Sequence, residues 1–162
     1  MGRMLLRAVQ KPDDLEARTG MLLGSMLAGQ AFANSPVAAV HALAYPIGGH
    51  YKVPHGLSNA LVLPHVLRFN AQVAPEAYAE LLPHVFPDLP SMGVAEAACQ
   101  FAQSMADLSQ ACGLEQGLRE MGIARAALPS LARDAMNQTR LLVNNPRPVD
   151  EDAALKIYEA AW

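Results

Sequence analysis

Residues 35–70 read SPVAAVHALAYPIGGHYKVPHGLSNALVLPHVLRFN, and how this stretch folds decides the class of the whole chain. Ser35 followed by Pro36 has the form of a helix cap and a first-turn proline, so a helix is expected through VAAVHALAY. Pro46 and the pair Gly48-Gly49 then predict its end. A second helix is expected from about His55-Gly56 through LSNALVLPHVLRFN, bent where Pro64 removes a backbone donor. No strict alternation of apolar and polar residues interrupts these patterns.

The same signature continues outward in both directions. From Asp13 to Asn34 the chain opens on acidic residues, which suit a helix N-terminus, and is apolar nearly all round from Gly20, which predicts a buried helix. Small residues at Gly24, Ser25, Ala28 and Gly29 allow another backbone to approach closely. Further helical patterns cover about Pro75 to Leu82, Val94 to Cys112, Ala126 to Gln138 and Asp150 to Ala161. Asn-Gly hairpin signals and internal repeats are absent. The expected fold class is all-α, a bundle of about seven helices with proline-rich connections.

Length and composition bound the function. The 162 residues fit one domain able to bury roughly 70% of its unfolded surface. With 17% charged residues and a formal net charge of −3, the chain has no basic face for nucleic acid. No apolar run approaches the roughly 18 residues of a membrane span, and the start, MGRMLLRAVQKPDD, is too short in apolar core for a secretion signal, so a cytoplasmic protein is expected. Cys99 and Cys112 stand thirteen positions apart in one expected helix and cannot bridge; they read as buried thiols.

Three of the five histidines fall within residues 41–55. His41 sits inside the first helix and His55 at the mouth of the second, fourteen positions on, so a tight turn between them can bring both imidazoles to one point. Two neutral imidazoles suit a first-row metal. The spacing matches no closed structural-zinc pattern, however, and on spacing alone two histidines that cap or hydrogen-bond in the core are the better reading than a metal pair.

Residues 29–70, from GQAFANS through VHALAYPIGG and PHGLSNALVLPHVLRFN, resemble the signature region of the iron-containing (group III) alcohol dehydrogenase family. The likeness continues through NNPRPV to the final KIYEAAW, so that residues 1–162 look like the helical, metal-binding C-terminal domain of such enzymes. The resemblance implies that His41 and His55 ligate a divalent metal, iron or zinc. It also implies reversible hydride transfer between an alcohol or aldehyde and NAD or NADP. Tyr45, four positions after His41, stands where some members carry another histidine, and it reads as a cleft-wall residue or as ordinary packing; His50 reads as a loop or cleft residue.

Other family features are missing. Members take two more ligands from upstream, an Asp and a His four positions later, and no Asp here has a His at that spacing. The nicotinamide cofactor binds an N-terminal α/β domain through a glycine-rich loop, and Gly48-Gly49 has no preceding strand. The N-terminal dinucleotide-binding domain is therefore expected to be absent and this chain to be an incomplete part of the enzyme, inactive alone and prone to self-association through an uncovered apolar wall. A stand-alone helical module that binds a partner is the alternative, as is the equivalent domain of a glycerol dehydrogenase or maleylacetate reductase. NNPRPV reads as a loop before an Asp150 cap, His65 and His84 as helix-surface residues, and Met21, Met26, Met92, Met105 and Met136 as helical packing.

Overall fold

The computed structural model describes residues 2–162, with the side chain of Arg3 also left aside. Among the described residues there are nine α-helices and no strand. They are α1 (Gly2–Gln10), α2 (Leu15–Asn34), α3 (Ala39–Tyr51), α4 (His55–Ala71), α5 (Pro75–Val85), α6 (Val94–Ala111), α7 (Leu128–Ala135), α8 (Thr139–Leu142) and α9 (Glu151–Ala160), with short 3-10 turns at Leu118–Met121 and Arg125–Ala127. The two helices beyond the expected seven are α1 and the four-residue α8, both too short to carry a long apolar period. No described helix is long and apolar enough to cross a membrane.

Helix α4 is the centre of the molecule because two of its faces belong to two cores. Leu61, Val62 and Val66 pack with Leu43 and Ile47 of α3, Leu128 and Leu131 of α7 and Ile157 and Tyr158 of α9. Leu67 packs instead with Leu82 of α5 and Phe101 of α6. A helix apolar on two sides is held at both, which makes α4 a rigid base for whatever its N-terminus carries. Tyr158 is fully buried, and its hydroxyl donates to the Leu43 carbonyl at 2.6 Å, tying α9 to α3.

Where the sequence placed a turn, the structure keeps a helix. α3 runs through Pro46 and Gly48-Gly49 to Tyr51, and its buried side, Ala42, Leu43, Pro46 and Ile47, shows why. Proline here costs one backbone bond to Ala42, and core packing of the same turn offsets it. The reversal falls at Lys52, which adopts the left-handed conformation (φ 58°) and donates its N–H to Gly48. Ser35 and Pro36 do not start α3 either: the Ser35 N–H closes α2 by bonding to Ala31, and α3 begins at Ala39.

The expected buried helix, α2, is largely exposed. Asp14 caps it through Ala17 N–H at 3.0 Å, and Arg7 of α1 bonds the other oxygen of Asp14 at 2.7 Å, holding that carboxyl below its usual range. Beyond this latch Leu22, Leu23, Met26, Leu27 and Phe32 are open to solvent, because α1 is its principal neighbour. The thiols also differ from expectation. Cys99 is exposed, on the side of α6 opposite Ala97, Ala98, Phe101 and Ala102, and Cys112 is half-buried. Met26 is exposed, and Met92 lies before α6 rather than in a helix.

Candidate metal centre

The Lys52–Pro54 segment runs back beside the last turns of α3, with the Val53 carbonyl against Gly48, so α4 starts level with the middle of α3. Ser58 braces this return, its hydroxyl donating to Val53 O at 3.3 Å and its N–H to Pro54 O at 2.9 Å. His55, the first residue of α4, thereby meets His41 and Tyr45, which lie one turn apart on α3. The ring centroids are 5.2 Å apart for His41 and His55, 6.1 Å for Tyr45 and His55, and 6.3 Å for His41 and Tyr45. A small cavity of about 310 Å³ opens beside them, lined by Ala44, Tyr45, Gly48, Gly49, Val53 and His55.

The electrostatics favour neutral imidazole at His41. Partial burial first, and repulsion from His55 second, lower its pKa from the ordinary histidine value. Its ring is half-buried and takes no hydrogen bond from the described residues, which leaves a lone pair available. His55 is exposed and touches the amide of Asn59, one turn further along α4. Among the described residues no group of three or more His, Cys, Asp and Glu is placed to hold a metal. The donor set is two imidazoles, which fit a borderline first-row ion, with the remaining coordination positions open to other groups.

The other sequence candidates lie apart from this pair. His50 is not in a loop: it occupies the last turn of α3 and its Nε2 lies 2.7 Å from Asp134 of α7, while the side chain is 57% exposed. It does not line the small cavity. His65 is half-buried within α4 rather than on its surface, and burial together with Arg68 lowers its pKa to about 4. His84 is exposed on α5. The NNPRPV segment braces the far end of α4. Asn70 and Asn145 exchange amide hydrogen bonds of 3.0 and 2.7 Å in the interior, and the Arg147 guanidinium, 3.9 Å above the Phe69 ring, donates to Phe69 O at 3.1 Å. Asn70 is fifteen residues from His55, roughly 22 Å along the axis, so this loop serves the fold. The sequence reading missed two residues: Asn59, whose i+4 spacing from His55 was its only signal, and Tyr158, which fixes α3 from a distant helix.

Comparison with known proteins gives one consistent result. The family described as Fe-containing alcohol dehydrogenase family, C-terminal, is matched over residues 1–162. The chain is 38% identical over 162 residues to long-chain-alcohol dehydrogenase 1 of Geobacillus thermodenitrificans, covering 100% of this chain and 41% of that protein. It is 35% identical to 1,3-propanediol dehydrogenase of Citrobacter freundii, covering 100% and 42%. The crystal structure of a 1,3-propanediol oxidoreductase superposes with a TM-score of 0.94 at 34% identity, over 99% of this chain and 42% of that one. The chain thus spans about two fifths of the length of the relatives it matches.

Proposed function

The chain belongs to the Fe-containing alcohol dehydrogenase family, whose C-terminal part it matches from end to end, and on that premise we propose that it is the metal-contributing helical domain of an NAD(P)-dependent alcohol dehydrogenase. The observation that carries this reading is the 5.2 Å approach of His41 and His55 on two helices whose packing is fixed by a shared core. Such rings reach one ion with little rearrangement, since nitrogens bound to a common metal lie within about 4.2 Å of each other. His41 and His55 would hold a divalent metal, iron or zinc, which supplies Lewis acidity for hydride transfer between an alcohol or aldehyde and a nicotinamide cofactor.

The chain's own side chains have separable tasks. His41, kept neutral by its half-buried position, presents a lone pair at neutral pH rather than a proton that a metal must displace. Tyr45 walls the cavity beside both rings, and Gly48-Gly49 leave its floor free of side chains. The dehydrogenase names of the relatives support alcohols as the substrate class. The cofactor and the remaining ligands belong to an α/β domain outside this sequence in this reading.

Zinc or cobalt titration of the purified chain, followed by calorimetry, tests the centre. Binding should be weak, with one ion per chain, and His41→Ala and His55→Ala should each weaken it at least about tenfold, 1.4 kcal/mol. The chain with NAD, ferrous iron and short primary alcohols should produce no reduced nicotinamide above a blank. Unchanged affinity in both histidine variants would remove the metal centre, and sustained turnover would remove the division of labour between domains.

A further inference from the structure

We propose that the cleft between the C-terminal half of α4 and α9 is a binding site for a small organic monocarboxylate, a single charged head carried on an apolar body. The cleft has a volume of about 540 Å³, larger than the cavity beside His55, and Arg68, Arg147 and Lys156 all line it. A volume of this order holds a small organic molecule rather than a bare ion. Its wall at Phe69 stands fourteen residues from His55, roughly 21 Å along α4, so the site is independent of the metal reading.

Arg147 is the anchor because it is held in place before any ligand arrives. Its guanidinium carbon sits 3.9 Å from the centre of the Phe69 ring, and both of its hydrogen bonds, to Phe69 O and Gln72 Oε1, leave from Nη1. Nη2 and Nε keep their hydrogens, and that edge of the fork matches the two oxygens of a carboxylate. Arg68 is bonded to Gln103 through Nη2 alone, and none of the three cations is in an ion pair among the described residues.

The same cleft holds two acids, Asp150 and Asp152, at the start of α9, and Asp150 Oδ1 is engaged by the Ala153 N–H. His65 in the same wall is neutral at pH 7, because burial and then Arg68 lower its pKa to about 4. Three cations against two carboxylates leave one positive charge in excess, which a single carboxylate balances and a polyanion would overshoot. Phe69, Pro148 and Ile157 give the body of the ligand an apolar seat.

Titration of the ¹⁵N-labelled chain with benzoate at pH 7, followed in ¹H–¹⁵N correlation spectra, tests the site. Benzoate should give saturable shifts confined to the surroundings of Phe69, Arg147 and Ala153, half complete at about 1–10 mM. Benzamide, of similar shape and uncharged, should shift nothing, and phenyl phosphate, with nearly two charges, should bind no tighter than benzoate. Lys156→Gln and Arg68→Gln remove charges from exposed side chains and should each weaken benzoate about two- to fivefold. Arg147→Lys, which keeps the charge and loses the fork, should weaken it about tenfold. The absence of saturable shifts up to about 20 mM overturns the proposal, as does an equal response to benzamide or tighter binding of phenyl phosphate. Unchanged affinity in both Lys156→Gln and Arg68→Gln also overturns it, and these two variants decide the matter should Arg147→Lys fail to fold.

Discussion

Acidification should unfold this protein partly through a histidine that takes no part in the candidate centre. His65 is held half-buried in α4, between two clefts that both include Arg68, and its pKa falls from 6.5 to about 4, first by burial and second by that guanidinium. In the unfolded chain it titrates near 6.5, so between those values the unfolded state binds a proton that the folded state refuses. The stability is complete above about pH 6.5 and is lost as pH falls toward 4. A shift of about 2.5 units corresponds to roughly 3.4 kcal/mol, and solvent access to part of the ring reduces this to about 1–2 kcal/mol. Urea unfolding of the native chain and of His65→Gln, at about pH 7 and pH 4.5, isolates the effect because the carboxylates titrate in both proteins. The native chain should lose about 1–2 kcal/mol more than the variant over that interval. Parallel losses would mean that His65 is solvated in the folded state and would refute the reasoning.

Two further outcomes follow from particular contacts. Tyr158→Phe deletes the buried hydroxyl that donates to Leu43 at 2.6 Å and should lower the urea stability by about 1–1.5 kcal/mol without changing the slope of the transition. Along α2, Leu22 at 75% and Phe32 at 58% exposure belong to a largely uncovered apolar helix, so the chain should associate with rising concentration in sedimentation. The double substitution Leu22→Glu and Phe32→Glu should return it to a monomer, and a strict monomer before substitution would count against that expectation.

The all-α class was legible because helical periodicity is local and the chain repeats it, and the ends marked by Asp14 and Asp150 fall where a side-chain oxygen accepts from the first turn. The turn between the two histidines was not. Pro46 and Gly48-Gly49 carry the strongest breaking signals in residues 35–70, yet α3 passes through them, because the buried side of that turn packs against α4, α7 and α9. Such packing is a property of residues far away in sequence, and no local rule contains it. The reversal at Lys52 carried no glycine to announce it.

The juxtaposition of His41 and His55 nonetheless survived a misplaced turn, and the reason is geometric. Extending α3 to Tyr51 moves its end roughly 9 Å beyond Tyr45, but the chain turns at left-handed Lys52 and comes back through Val53 and Pro54, so that the His55 ring lies 6.1 Å from that of Tyr45. The two errors cancel, and α4 begins beside Tyr45 as a shorter helix with an earlier turn would also have arranged. What a compensating path of this kind does not reveal is orientation. The side that His55 presents to His41 and Tyr45 depends on the rotation of α4 about its own axis, which Leu61, Val62 and Val66 fix against α3, α7 and α9. Spacing brought the two histidines together, whereas the way their rings face each other is set by the core beneath them.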